Sequence, residues 1–516
     1  MRAGVKQLSE ALTGWTDVKH YDVVIIGAGV VGCLVARTLA QYELGILLID
    51  KESDVGTGAS SANTAIVHPG YDAVSGSVKA AMNVAGNRLW DQLAAELSFP
   101  FERKGDYVVA IGGDELPMLD ELLRRGRDNG VPGMSLLSGD EMRRREPHIN
   151  SAVSGALWSS TGGICDPFAV VIAAAENAVQ NGVTLLLETE FQGFVVSDGR
   201  IAGVRTNRGD VSCRWAVNVA GLYSDEVMHM AGVRPEFRIR PRRGEYYVFD
   251  RAEVAVNNVL FPVPTATSKG ILVTTTVHGN TIIGPNAQEI DDKEDRAVTR
   301  EGLQETWQGA TKLIPTLNLK HAIAVFAGLR AGGNAPSPNP QLDYRADFVI
   351  ESADSPRGLI NLAGIESPGL TSSPAIALRV VEMLKDAGED LGVRRDWDPI
   401  RPARPRFRDL SRDEQRALIA QDPRYGRIVC RCEEVTEGEL VAEIHAPIPA
   451  RSYDAIKRRT WCGTGRCQAG FDTPRVVEIL ARELGVSVLQ VAKSGRQSEY
   501  LVRPTKEPQG DYESQV

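Results

Sequence analysis

Two groups of residues in this 516-residue chain have types and spacings suited to chemistry. The first is Gly27-x-Gly29-x-x-Gly32, followed by Asp50. Glycines at these intervals permit a tight turn, a close approach of backbone to a pyrophosphate, and the packing of a helix on a strand. An acidic residue about twenty positions further on accepts a ribose hydroxyl. The pattern suits a dinucleotide and leaves FAD and NAD both open. The second group is Cys430, Cys432, Cys462 and Cys467, the spacing C-x-C-x29-C-x4-C. Four thiolates in so short a stretch hold a [2Fe–2S] cluster or a zinc ion. The remaining three of the seven Cys read differently: Cys33 and Cys213 as small core hydrophobes, Cys165 as a candidate to approach a substrate. An odd count with four crowded late is not a secreted disulfide framework and points to a reducing compartment.

Positioning the glycines takes a strand, a turn and a helix. Tyr21–Ile26 is a short β-branched apolar run, and apolar residues Val31, Leu34, Val35 and Leu39 recur at helical spacing after the turn. Gly45–Ile49 is a second apolar run, so a β-α-β unit with a parallel sheet is predicted. Further on, the pattern predicts a helix over Pro167–Gln180 and antiparallel strands at Glu245–Asp250, Gly270–Thr275 and Thr281–Gly284. Asp398–Asp409 is rich in Pro and Arg without periodicity, as an extended linker is, and a polar tail begins at Ser494.

Composition bounds the partners. With 43% apolar and 24% charged residues the chain is a globular protein, not a disordered, collagenous or coiled-coil one. The 58 Lys+Arg against 67 Asp+Glu give a net charge of −9, which argues against general binding to nucleic acid or anionic membranes. Residues 1–20 carry Lys6, Glu10, Asp17 and Lys19 and no run of signal-peptide length. Val23–Leu39, the most apolar stretch, is interrupted by Gly27, Gly29, Gly32 and Arg37. A cytoplasmic protein with no direct membrane span is expected, associated with a membrane only through a partner.

Longer segments carry a resemblance that separates FAD from NAD. Gly58-Ala59-Ser60-Ser61-Ala62-Asn63, running into Ile66-Val67-His68-Pro69-Gly70, resembles the flavin-contacting loop of the D-amino-acid oxidase superfamily. Val217–Asp225, with Ala220-Gly221, resembles that superfamily's second adenosine-side strand and turn. Within it, three segments are similar to a group containing L-2-hydroxyglutarate dehydrogenases and the large subunit of anaerobic glycerol-3-phosphate dehydrogenase. They are Arg243-Gly244-Glu245-Tyr246-Tyr247, Phe326–Arg330 and Gly364–Pro374. The resemblance implies FAD as cofactor, held by Gly27, Gly29, Gly32, Asp50, Ser60, Ser61, Asn63, Ala220, Gly221, Gly369, Leu370 and Thr371. Gly369 permits close backbone approach, and Thr371–Ser373 are predicted to cap a helix that begins at Pro374. Such a helix end stabilises negative charge developing on a reduced flavin.

The same resemblance places His68 and Arg330 beside the flavin. His68 is the candidate general base and Arg330 the bidentate clamp for a carboxylate or phosphate. Arg243 and Tyr246 are further substrate-binding candidates, Lys269 is read as a solvated loop lysine, and His278 as a turn residue without a chemical role. Aerobic glycerol-3-phosphate dehydrogenases carry a GGKLTTYR-like segment where this chain reads Gly364–Thr371. Both sn-glycerol 3-phosphate and a small 2-hydroxy acid therefore stay open as the anionic substrate.

Ile428–Cys432 and Lys457–Phe471 resemble the bacterioferritin-associated ferredoxin domain, which is fused to large subunits of this kind and binds [2Fe–2S]. Relatives of that domain place their last Cys where this chain has Asp472 and lack one at Cys462. Cys430, Cys432, Cys462 and Cys467 are expected as ligands, with Asp472 the alternative to Cys462.

The expected architecture is α/β. A Rossmann-like FAD-binding domain of D-amino-acid oxidase type spans 20–80, 150–232 and 343–392, and an antiparallel-sheet substrate domain spans 81–149 and 233–342. A linker covers 393–425, a small Cys-rich helical [2Fe–2S] domain 426–490, and a tail 491–516. The expected function is hydride transfer from a small hydroxylated anion to FAD, with electrons leaving through the cluster to a second flavoprotein or another electron-acceptor subunit, or to a quinone-linked acceptor. The alternatives are an amine or imino-acid dehydrogenase of the same fold, a non-catalytic electron-transfer subunit, and a structural zinc clip in place of the cluster.

Overall fold

A computed structural model describes residues 20–253, 256–265, 269–334, 346–495 and 497–506. The expectations for residues 1–19 and for the tail beyond 506 lie outside these. The chain divides into two compact units, Met1–Ala403 and Arg404–Val516.

In the first unit β1 (His20–Ile26), α1 (Val30–Leu39) and β2 (Ile46–Ile49) form the expected β-α-β, with β1 and β2 parallel. After α2 (Val78–Asn87) the chain makes β3 (Asp106–Ile111) and β4 (Val153–Ser159), which pair antiparallel. The helix α3 (Pro167–Gln180) has the bounds its sequence suggests, because Asp166 caps it by accepting from the N–H groups of Phe168 and Ala169 and Pro167 opens it. Next come β5 (Gly209–Asn218), β6 (Ile239–Phe249), β7 (Val259–Pro262), β8 (Leu272–Thr275) and β9 (Thr281–Gly284). The unit closes with β10 (Ala322–Gly333), β11 (Leu359–Ala363) and α4 (Gly369–Asp386).

Two large sheets result. One has eight strands, with β11, β5, β1 and β2 side by side and parallel, as fully buried apolar strands require. The other has nine strands, and β4 belongs to it through its pairing with β3, so the expected boundary at 150 cuts that sheet. Its pairs are antiparallel except β7 with β3. The long β6–β10 ribbon runs through it, eleven residues against twelve.

The start of α4 differs from the expectation. The helix begins at Gly369, so Thr371–Ser373 lie in its first turns and Pro374 is inside it. Pro374 has no N–H for the Leu370 carbonyl, and the Ser373 hydroxyl donates to that carbonyl instead at 2.7 Å.

In the second unit the expected linker is folded in its later half. Ser411 and Glu414 form a capping box that starts α5 (Arg412–Gln421). The helices α6 (Glu437–Ile444), α7 (Tyr453–Thr460) and α8 (Thr473–Leu484) pack around Leu440, Ile456, Val476 and Leu480. Part of the expected tail joins this core, through buried Val491 and Tyr500 packed on Tyr453. Among the described residues no helix is long and apolar enough to cross a membrane.

Candidate active site

A cavity of about 320 Å³ in the first unit runs from the glycine turn to the β6–β10 ribbon. At one end the backbone does the work. A Cβ on Gly32 would lie 1.9 Å from the Gly27 carbonyl oxygen, and one on Gly27 would lie 2.6 Å from that of Val219. Both positions therefore exclude side chains, which brings α1 hard against the turn. Gly27 and Gly29 line the cavity, whereas Gly32 serves the packing behind it. The Asp50 carboxylate lines the cavity as well, accepting from the N–H groups of Ala28 at 2.6 Å and Glu52 at 2.9 Å.

The loop after β2 supplies the next wall. Ser60 accepts from the N–H of Val30 at 3.0 Å and faces the cavity with Asn63, whose side chain spans the Ala59 and Ser60 carbonyls and the Ala65 N–H. Ser61 is turned away and donates to the carbonyls of Thr57 and Gly58. Ala220, Gly221, Gly369 and Leu370 complete this part of the lining. Thr371 does not reach it. Fully buried, Thr371 accepts from the backbone N–H of His68 at 2.8 Å, so it braces His68.

His68 is held from several sides. Its carbonyl accepts from the amides of Asn83 and Asn87, both at 2.9 Å, and its Nε2 lies 3.4 Å from the Ser367 hydroxyl. Burial, and next the Lys269 ammonium, lower its imidazole pKa to about 3 against a smaller opposing effect of Asp72, so the ring is neutral. Lys269 is no solvated loop residue: it lines the cavity and pairs with Asp72 at 2.8 Å.

At the far end the side chains on β6 alternate. Arg242 and Tyr246 face the cavity, and Arg243 does not. The expected role of Arg243 in substrate binding is corrected accordingly, because the residue is 4% exposed and its guanidinium pairs with Asp295 at 2.9 Å and Gln288 at 2.7 Å. Arg242 stands directly opposite Arg330 on β10 and pairs with Glu289 at 3.4 Å. Three carbonyls hold the Arg330 guanidinium, those of Asn286 at 2.8 Å and of Arg242 and Arg243 at 3.3 Å. Among the described residues no carboxylate lies within ion-pair distance of it. Tyr246 is stacked on Phe326 with ring centroids 4.6 Å apart.

Besides Arg242, two further cavity residues escaped sequence reasoning. Lys79 on α2 and Glu366 form a buried ion pair at 3.2 Å. Burial pushes the Glu366 carboxyl up, but Lys79, Arg242 and Arg330 together hold it below the usual range. Glu366 lies in a segment already singled out, whereas Lys79 gave no signal, since nothing in a helix sequence announces a partner 287 positions away. Cys33, Cys165 and Cys213 are all buried and none lines the cavity.

In the second unit a hairpin (Ile428–Cys430 with Val435–Thr436) carries Cys430 and leads to Cys432. The loop 461–472 carries Cys462 and Cys467. Buried Cys430, Cys462 and Asp472 place their ligand atoms within 4.8 Å of one another. The Tyr453 hydroxyl donates to Asp472 at 2.6 Å, and the Cys462 thiol reaches its other oxygen at 3.7 Å. The Cys462 hydrogen bond, helped by the Gly463 N–H against burial, holds Cys430 below the usual thiol range. Exposed Cys432 is in contact with the thiol and backbone of Cys467. One buried and one outer pair of thiols suit a cluster with two irons.

Comparison with known proteins decides the family. The FAD dependent oxidoreductase family matches residues 22–383, and the BFD-like [2Fe-2S] binding domain matches 428–482. The chain belongs to the FAD-dependent oxidoreductases. This flavoprotein is 45% identical to the glycerol 3-phosphate dehydrogenase of Caloramator mitchellensis, over 94% of its own length and 99% of the relative's. It is 30% identical to the mitochondrial L-2-hydroxyglutarate dehydrogenase of Arabidopsis thaliana, over 70% and 82% of the two chains. Among solved structures it is similar to the dithionite-reduced L-α-glycerophosphate oxidase of Mycoplasma pneumoniae with FAD bound. That match has a TM-score of 0.69 and 29% identity, and covers 75% of this chain and 100% of the other. FAD and a [2Fe–2S] cluster are the cofactors of the oxidoreductase. The glycine cradle fits the first, and the match to the BFD-like [2Fe-2S] binding domain decides the second over the zinc alternative.

Proposed function

We propose that this oxidoreductase removes hydrogen from the secondary hydroxyl of sn-glycerol 3-phosphate, forming the ketone. The observation that carries the reading is the cationic end of the cavity. Arg330, whose guanidinium is held by backbone carbonyls, stands there opposite Arg242, itself paired with Glu289 at 3.4 Å, and Lys269 lines the same cavity. The identity shared with the Caloramator dehydrogenase supports this substrate over others. Bound FAD supplies the two-electron acceptor, and the [2Fe–2S] cluster a one-electron store.

The chain's own residues bind and orient. Arg330 and Lys269 hold the phosphate, and Tyr246 packs against the carbon chain. The Nε2 of neutral His68 takes the proton of the hydroxyl. A phosphate paired with Lys269 also offsets the second cause of the depressed imidazole, burial being the first, so His68 becomes more basic when substrate is present. Thr371, Asn83 and Asn87 keep that ring in place through its backbone.

A small 2-hydroxy acid is the second reading, favoured by the similarity to L-2-hydroxyglutarate dehydrogenases. Adding sn-glycerol 3-phosphate under anaerobic conditions is expected to bleach the flavin bands within a turnover time. No bleaching, from protein that dithionite still reduces, overturns the reading and makes L-2-hydroxyglutarate the next addition. Rapid reduction only by a partner flavoprotein would make the chain an electron-transfer subunit.

For the cluster, the ligands proposed are Cys430, Cys432, Cys462 and Cys467, with Asp472, one of whose oxygens accepts from Tyr453, the alternative to Cys462. Iron content is expected to fall in Cys462→Ser and to persist in Asp472→Ala. The reverse result assigns Asp472 as the ligand.

A further inference from the structure

The Lys79–Glu366 pair lines the cavity, and the chemistry assigned to His68 and Arg330 does not use it. Taking two charges out of water costs about as much as their attraction returns, so stability gives no reason for the pair. Lys79 takes one carboxylate oxygen, Oε1, at 3.2 Å. Its own place on α2 is fixed by Asp347, which accepts from the N–H groups of Val78 and Lys79 at 2.9 and 2.8 Å. The second oxygen, Oε2, makes no hydrogen bond among the described residues, although the side chain is only 9% exposed. A Cβ at Gly332 would lie 3.6 Å from Oε2, so this oxygen stands over β10. Gly332 is two residues from Arg330 in an unbroken register, hence on the same face of that strand. Glu366 also adjoins Ser367, whose hydroxyl is 3.4 Å from His68 Nε2. An unused acceptor thus neighbours both the anion clamp and the base.

We propose that Oε2 of Glu366 accepts a hydrogen bond from the terminal hydroxyl of the substrate, and so selects a hydroxymethyl group over a carboxylate at that carbon. The inference rests on the glycerol 3-phosphate reading and deepens it. Lys79, Arg242 and Arg330 keep the carboxyl ionised, so it accepts and cannot donate. sn-Glycerol 3-phosphate carries a neutral CH2OH beside the carbon that is oxidised, and its hydroxyl is a donor. A 2-hydroxy acid carries a carboxylate there, which has no proton to give and repels Oε2. Lys79 is already matched by Glu366 and offers such an acid no unpaired cation.

Anaerobic flavin reduction of the holoenzyme by three phosphates, matched in configuration at the reacting carbon, tests the assignment. They are sn-glycerol 3-phosphate, propane-1,2-diol 1-phosphate and 3-phosphoglycerate, which bear CH2OH, CH3 and a carboxylate beside that carbon. In the wild type, CH3 in place of CH2OH is expected to lower kcat/KM by about tenfold or more, because a charged acceptor loses its donor. The carboxylate is expected to lower it by about 10³-fold. In Glu366→Gln an NH2 can replace Oε2, and the preference for hydroxymethyl over carboxylate is expected to shrink by at least about tenfold, with flavin content retained. A merely structural role would lower kcat/KM for all three by one factor. A wild-type loss below about threefold for the CH3 compound overturns the proposal, and that measurement needs no variant to fold. An unchanged preference in Glu366→Gln overturns it as well, and leaves the substrate reading standing. If sn-glycerol 3-phosphate leaves the wild-type flavin oxidised, the substrate reading falls and this inference falls with it.

Discussion

The two ends of the cavity are built on opposite principles. At the nucleotide end the walls are backbone: Gly27 and Gly32 work by having no side chain, and the hydrogen bonds come from main-chain N–H groups. At the substrate end the walls are side chains on the two long strands β6 and β10, where alternation puts Arg242 in the cavity and its neighbour Arg243 outside it. The first design is intolerant of added atoms, the second of a change in register.

The largest effect expected from breaking this contrast is at the first end. Gly32→Val drives a side chain into the Gly27 carbonyl, and bound FAD is expected to fall below about a tenth of the wild-type content, measured by absorbance after gel filtration. At the second end, Arg330→Met is expected to keep its flavin and lower kcat/KM for glycerol 3-phosphate by about 10²–10³-fold, as loss of a buried charge partner does. Arg243→Met sharpens the comparison. It is expected to change kcat/KM less than about fivefold while lowering Tm by several degrees, because it removes the cation beside buried Glu245, which keeps its hydrogen bonds from Thr299, and the ion pair of Asp295. An equal loss of kcat/KM in the two variants would contradict the assignment of faces.

His68→Asn is expected to slow flavin reduction by about 10²-fold, read by stopped flow. The smallest effect is on titration. Lys269→Met removes the second-largest cause of the depressed imidazole, so the His68 midpoint measured by NMR is expected to rise from about 3 while remaining below 6.5, burial being unchanged. The sign for stability follows. Between pH 3 and 6.5 the unfolded chain binds a proton at His68 that the folded chain does not, so this residue's contribution to stability increases with pH across that window.

Much of the nucleotide end was legible because its signals are local. The glycine spacing, the apolar run of β1 and the Asp166-Pro167 start of α3 each act within a few residues. The substrate end depends on long-range facts. Choosing between Arg242 and Arg243 requires the register of β6 against β10, and the Lys79–Glu366 pair joins elements far apart in sequence. The origin of α4 at Gly369 was obscured because Pro374 reads as a first-turn residue, whereas the Ser373 hydroxyl makes a proline tolerable further in. One local signal runs against the expected linker: Ser411 and Glu414 spell a capping box inside it.

The β6–β10 ribbon also limits how such a protein can change over generations. Gly328 abuts the flavin loop, since a Cβ there would lie 2.2 Å from the Ala62 carbonyl, and Arg330 is only two residues further along the same strand. Inserting one residue between them would advance the guanidinium by about 3.3 Å and rotate it to the opposite side of the sheet. An insertion there therefore moves the guanidinium off its face, whereas a substitution away from Gly328 keeps the register. A lineage that comes to prefer a longer or shorter acid must do so by exchanging side chains such as Tyr246 and Lys269, leaving the length of the strand as inherited.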